Sequence, residues 1–240
     1  STSNNGCADT LTKNVTVYPK PTVAFDVEDV CIGEIVEFTN LSAVPNNGTI
    51  ADIKWFFGDG AVSLETSPDH LYANPGIYQP FVVITSTEGC VDTLVKTVVV
   101  HELPPAAIQA LGPLAFCDGG SVELRAPANQ AGYEWSTGET TQSITVTTSG
   151  VYTVTVTSIF NCTNVDSIEV IVWPLPVANA GNDTTISKGY SAQLNGSGGN
   201  DYEWTPMESL SNPSIANPIA SPLETTTYTL LVTDTNGCQD

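Results

Sequence analysis

The sequence predicts an all-β protein made of tandem β-sandwich domains, and three observations predict it. A short phrase recurs: Gly6-Cys7-Ala8-Asp9-Thr10, Gly89-Cys90-Val91-Asp92-Thr93, Asn161-Cys162-Thr163-Asn164 and Gly237-Cys238-Gln239-Asp240. Its copies stand roughly 70 to 85 residues apart, the length of a small domain. After each of the first three copies comes an alternating Val/Thr/Ile run and then a proline pair: Pro19 and Pro21, Pro104 and Pro105, Pro174 and Pro176. No stretch carries a helical hydrophobic period, whereas alternation of period two recurs along the whole chain.

Taken in order, 35–38 (Ile-Val-Glu-Phe) and 53–57 (Ile-Lys-Trp-Phe-Phe) alternate and stop at Gly58-Asp59-Gly60. Residues 77–85 open after Pro75-Gly76, and 94–100 is a β-branched run ending before the linker prolines. Residues 143–146, 151–156 and 168–172 repeat that plan, and 228–232 follows Thr225-Thr226-Thr227. Clusters of Gly, Pro, Asn and Asp separate the runs at the intervals expected of a sandwich. Each repeat has a Trp midway (Trp55, Trp135, Trp204) and a Tyr on a later strand (Tyr78, Tyr152, Tyr228). Their phase predicts core packing between two sheets.

The repeat divides the chain into 1–18, the last strand of a preceding repeat or a donor strand; 19–101; 102–173; and 174–240, which lacks its last strand. The chain starts and ends at one phase of the repeat, as a segment cut from a longer array would. No start methionine, signal peptide or membrane span is visible, which suggests a mature or excised piece. Strand exchange between subunits, with residues 7–18 completing a neighbour's third domain, and covalent continuation of one polypeptide both explain that phase. Proline joints such as Val172-Trp173-Pro174-Leu175-Pro176 favour semi-rigid extension. Three sandwiches end to end would make a rod of about 100 Å.

Acidic residues outnumber basic ones 26 to 6, for a formal charge of −20. That excludes a nucleic-acid footprint and adsorption to anionic membranes. Its plain reading is a solvated, self-repelling surface. Six cysteines without a CxxC spacing predict disulfides and an oxidising compartment. The expected pairs are Cys31 with Cys90 and Cys117 with Cys162, each within one domain, leaving Cys7 and Cys238 over. Where the other domains have their first cysteine, the third has Ser187-Lys188-Gly189.

Trp55-Phe56-Phe57-Gly58-Asp59-Gly60, then Ser67-Pro68-Asp69-His70-Leu71-Tyr72, then Pro75-Gly76-Ile77-Tyr78 closely resemble the PKD domain, an immunoglobulin-like β-sandwich. The resemblance spans about residues 20 to 101. It implies tandem immunoglobulin-like (PKD-like) sandwiches in an elongated array. Phe116-Cys117-Asp118-Gly119-Gly120, Tyr133-Glu134-Trp135-Ser136-Thr137-Gly138 and Ala178-Asn179-Ala180-Gly181-Asn182-Asp183 look like the repeats of large surface proteins of gliding and secreting Bacteroidota. Those relatives include gliding-motility adhesins and multidomain secreted enzymes. The resemblance also implies O-glycosylation at Asp-Ser/Thr-apolar sites, here Thr10, Thr93, Ser167 and Thr184.

No nucleophile elbow, phosphate loop, HExxH or EF-hand loop is present. His70 and His101 have no nucleophile or metal-ligand partner by spacing, so no enzyme is expected. Calcium is the one candidate cofactor. Asp26, Glu28 and Asp29 lie beside one joint, and Asn179, Asn182 and Asp183 beside another, where oxygen ligands would stiffen the linker. The function expected is a structural stalk or spacer of a long extracellular, cell-surface adhesin or filament that projects a distal binding region. Its partners would be neighbouring repeats or subunits, without membrane insertion. The alternative is a polysaccharide-binding or spacer module of a secreted multidomain enzyme.

Overall fold

The computed structural model describes residues 10–240, and no helix occurs among them. The chain forms two compact units, Ser1–Leu103 and Pro104–Asp240. The first copy of the recurrent phrase, with Cys7, lies outside the described residues apart from Thr10.

In the first unit a four-stranded antiparallel sheet runs in the order Val91–Val95, Phe81–Ser86, Ile50–Phe56 and Val62–Ser63. A second sheet orders Val30–Cys31, Val98–His101 and Gly76–Tyr78, its first pair parallel and its second antiparallel. Alternation decides what is buried: along Phe81–Ser86, Val82, Ile84 and Ser86 point inward. Trp55 anchors the core, with Phe25 edge-on at 5.1 Å and Phe38 at 5.5 Å. Each such aromatic or aliphatic side chain contributes about 1.5–3 kcal/mol by leaving water.

Two expected strands are divided. The run 77–85 breaks at Pro80, which has no N–H for a ladder. The run 94–100 breaks after Val95, where the chain leaves Phe81–Ser86 and joins Gly76–Tyr78 in the other sheet.

The second unit holds a larger sandwich and a smaller one, with separate cores. In the larger, Thr163–Trp173 does in one strand what the first unit does in two. It pairs antiparallel with Gly150–Thr157 and then, at its end, parallel with Ala115–Cys117. Gly132–Trp135 completes this sheet, and Gln109–Ala110, Val122–Arg125 and Ser143–Val146 form the other. Trp135, Leu124, Val154, Val156 and Val170 lie in the core between them. The smaller sandwich has only paired strands, Asp201–Thr205 with Thr229–Thr233 and Ala192–Gln193 with Ile219–Ala220. Its buried cluster is Trp204, Leu230 and Val232.

Candidate functional site

The recurrent phrase is a hairpin of one design. Cys90, Cys162 and Cys238 each donate their backbone N–H to a side chain four residues earlier: Ser86 Oγ (3.2 Å), Ser158 Oγ (3.2 Å) and Asp234 Oδ1 (2.8 Å). Those three residues return their own N–H to the cysteine carbonyl. The residue before each cysteine has positive φ, 82° at Gly89, 62° at Asn161 and 85° at Gly237, where glycine and asparagine are tolerated. A second turn recurs at Cys31, Cys117 and Ser187, whose carbonyls accept from Glu34, Gly120 and Tyr190 N–H. The third module keeps this turn and replaces its cysteine by Ser187.

Cys117 and Cys238 form a disulfide with Cα atoms 5.5 Å apart and 121 residues between them in sequence. Cys31 and Cys162 each take part in a disulfide, while Cys90 keeps a free thiol. The expected pairs Cys31–Cys90 and Cys117–Cys162 are both wrong, and strand direction is the reason. Cys117 registers with Trp173, at the far end of the 11-residue strand that Cys162 precedes. At about 3.3 Å per residue the two stand about 36 Å apart along the sheet, far beyond disulfide reach. Cys31 likewise registers with His101, at the opposite end of the stretch that Cys90 begins. Cys117 sits where the chain leaves its sandwich for residue 174, so it meets the last hairpin of the next one. There Ala178 N–H donates to Asp240 Oδ2 at 2.8 Å, a second tie in the same region.

All three mid-repeat tryptophans are buried, and each donates its indole N–H to a carbonyl further along: Glu65 (3.1 Å), Thr141 (2.9 Å) and Ile215 (3.2 Å). Tyr78 and Tyr152 each donate to the carbonyl four residues back, Asn74 and Thr148, both at 2.8 Å. Tyr228 departs from this and meets Ser209 Oγ at 2.6 Å. In the first unit the turn after Trp55 is held by Asp59. Its Oδ1 accepts Ala61 N–H (2.9 Å), and its Oδ2 lies 2.7 Å from His70 Nε2. The His70 ring stacks on Phe57 at 4.0 Å and meets Tyr72 edge-on, while Tyr72 donates to Phe57 carbonyl at 2.8 Å. Burial works against Asp59 ionisation, but Ala61 N–H and His70 outweigh it and hold its carboxyl below the usual range. Burial pushes the Tyr72 hydroxyl well above its ordinary value. His70 is thus a packing and hydrogen-bonding residue of the turn.

Three of the six candidate calcium ligands are drawn into other contacts. Asp26 pairs with Lys96 at 3.3 Å, Asp29 Oδ1 accepts Val99 N–H at 2.8 Å, and Asn179 Oδ1 accepts Gly181 N–H at 2.9 Å. Glu28, Asn182 and Asp183 are exposed. Among the described residues no three His, Cys, Asp or Glu side chains come together in a group that could hold a metal ion. Thr10, Thr93, Ser167 and Thr184 are all solvent-exposed, with Thr93 in Val91–Val95 and Ser167 in Thr163–Trp173.

Residues 5–101 match the family model of the PKD domain. The first unit carries a PKD domain. A microbial collagenase of Vibrio alginolyticus is 36% identical over 72 residues, which is 30% of this chain and 9% of the collagenase. The chain therefore spans less than a tenth of that relative's length. Among solved structures, the PKD1 domain of Vibrio anguillarum Epp is 26% identical, covering 37% of this chain and 100% of its own, with a TM-score of 0.34. The PKD1 domain of the Vibrio cholerae metalloprotease PrtV is 28% identical, covering 34% of this chain and 96% of its own, with a TM-score of 0.31.

The PKD domain also has a feature that the reading by composition passed over. Phe56 and Phe81 stack at 4.5 Å with their planes 10° apart on the outer face of the four-stranded sheet. Their register neighbours Val62 and Val95 extend the row across all four strands, and Lys54 Nζ lies 5.1 Å from the Phe56 ring. Period-two alternation would have found it, since in Trp55-Phe56-Phe57 the outer two side chains turn inward and the middle one outward.

Proposed function

We propose that this chain is stalk material: spacer repeats of a long bacterial cell-surface adhesin or extracellular filament, of the kind carried by gliding Bacteroidota, that hold a distal binding region away from the cell. The observation that carries this reading is the Cys117–Cys238 bond. A disulfide between consecutive sandwiches adds nothing to a binding face, but it does keep modules from separating under load. The formal charge of −20 keeps such a surface soluble. The disulfides suit an oxidising, extracellular setting. Glycans on Thr10, Thr93, Ser167 and Thr184 belong to the same reading, and peptide masses from native material that show all four unmodified would remove them from it. Immunogold microscopy of source cells with antibody to this chain tests the proposal as a whole. Label strung along projecting fibres is the expected result, and label confined to secreted material would overturn it.

A second reading is a spacer or polysaccharide-binding module of a secreted multidomain enzyme. It is favoured by the 36% identity to a stretch of the Vibrio alginolyticus collagenase and by the outward-facing, half-buried Phe56–Phe81 row. Retention on chitin or cellulose beads that is lost in Phe56→Ala would favour this reading, and flow-through would argue against it.

A further inference from the structure

The chain contains Asn5-Gly6, which lies outside the described residues, and three further Asn-Gly steps, Asn47-Gly48, Asn195-Gly196 and Asn236-Gly237. Such a step can modify itself, because glycine has no side chain to keep its backbone nitrogen from the asparagine side-chain carbon. The fold holds the three steps differently. Asn195-Gly196 is locked: Gly196 N–H donates to the Ala216 carbonyl at 2.8 Å, and a Cβ built on Gly196 would stand 3.0 Å from both Leu230 and Trp204 side chains. Asn236-Gly237 is tethered. Asn236 N–H and Nδ2 donate to the Asp234 carboxylate at 2.8 and 3.4 Å, and Gly237 N–H donates to the Asp234 carbonyl at 3.2 Å. The Asp234 charge also disfavours the deprotonated glycine nitrogen that attack requires. Asn47-Gly48 has neither restraint. Asn47 is exposed, its side-chain amide makes no hydrogen bond among the described residues, and no residue from 43 to 50 is charged. Gly48 N–H donates to the Pro45 carbonyl at 3.2 Å, in an exposed turn where water replaces the bond at little cost. The turn nonetheless requires these residues. Asn46 and Asn47 have φ of 58° and 60°, and a Cβ on Gly48 would collide with Val44 Cγ1.

We propose that Asn47 is a site of spontaneous covalent modification, which converts it to aspartate and isoaspartate through a succinimide. The Gly48 nitrogen gives its proton to solvent base, its lone pair attacks Asn47 Cγ, and the side-chain nitrogen leaves as ammonia. Water then opens the ring at either carbonyl, so the sum is one water consumed and one ammonia released. Both products add one negative charge to a chain that already carries a formal −20. They differ in shape. An aspartate keeps the left-handed turn, which Asp adopts as Asn does. An isoaspartate puts an extra methylene into the main chain, which moves Gly48 off Val44 and breaks the turn that joins Thr39–Asn40 to Ile50–Phe56. The PKD domain thus carries a mark of its own age at an exposed loop. The site depends on neither reading of the whole protein.

The test is peptide mapping of the unreduced full chain held at neutral pH and sampled over time, with digestion in acid to stop further reaction. Asn47→Asp supplies the chromatographic standard for the aspartate product. The expected result is the amide-to-acid mass gain at Asn47, in two chromatographic forms, about tenfold ahead of Asn195 and Asn236, the factor that one additional hydrogen bond to break imposes. In urea Asn47 and Asn195, neither of which has a charged residue within three positions, should convert at the same rate, because only the fold separates them. A folded chain in which Asn47 stays unmodified overturns the proposal. So does one in which Asn195 or Asn236 keeps pace with Asn47. A lead of Asn47 over Asn195 that persists in urea overturns it as well, since neighbouring residues and not the fold would then set the order.

Discussion

Cys117 and Cys238 lie 121 residues apart in sequence and join the exit end of one sandwich to the last hairpin of the next. The chain between them, including the proline linker after Trp173, is enclosed by the bond. A pulling force applied through residues before 117 and after 238 therefore bypasses both the linker and the third module.

This relationship predicts the effect of reduction. In the chain-entropy model, closing a loop of this length stabilises by about 4–5 kcal/mol. Cys117→Ser/Cys238→Ser should lower the melting of the third module by that order, because its own core is small, and leave the PKD transition in place. In single-molecule pulling, reductant should add at least about 400 Å of contour on unfolding, at 3.3–3.6 Å per residue, since it opens this bond together with those of Cys31 and Cys162. Equal contour lengths with and without reductant would refute the clamp.

Thiol accessibility separates the observed pairing from the expected one. Alkylation of the native, unreduced chain should mark Cys90 and leave Cys31, Cys117, Cys162 and Cys238 unmarked until reductant is added. Cys90→Ser should leave the melting temperature unchanged. A peptide map showing Cys90 protected in the unreduced monomer would contradict the structure.

Asp59 predicts a pH dependence. Its folded carboxyl titrates below the ordinary value of 3.8, because Ala61 N–H and His70 outweigh the opposing effect of burial. A lowered folded pKa gives stability that is present above the unfolded value and is lost as pH falls through the folded one. Urea midpoints of wild type should therefore decline below pH 3.8 more steeply than those of Asp59→Asn. Parallel acid limbs would show that this carboxylate adds nothing.

Two tyrosines with similar bonds should differ in cost. Tyr72→Phe strands the Phe57 carbonyl in a buried site and should destabilise the PKD domain by about 1–3 kcal/mol. Tyr78→Phe removes an exposed bond to Asn74 and should cost about 0.5–1.5 kcal/mol. Chemical denaturation of the two variants checks the order, and a larger loss in Tyr78→Phe would reverse the argument.

Local chemistry made much of this protein readable in advance. The Gly-Cys and Asn-Cys phrases are hairpins because a positive φ at Gly89, Asn161 and Gly237 depends on the residue itself. Trp55, Trp135 and Trp204 are core residues because strand alternation and size leave them no other low-energy place. The Asp59 turn follows from residues within a dozen positions of one another, and the PKD resemblance rests on the same short spans.

Tertiary structure decided the matters that depend on which ends of long strands meet. Cys117 lies 45 positions before Cys162 in sequence, a separation that invites a bond within the domain. Parallel pairing of Ala115–Cys117 with the end of Thr163–Trp173 carries it to the opposite end and to Cys238. The same holds for the run 94–100. Its alternation determined that it suits a sandwich strand, but where it leaves one sheet for the other is a property of the folded chain, because pairing is a relation between segments and alternation is a property of one.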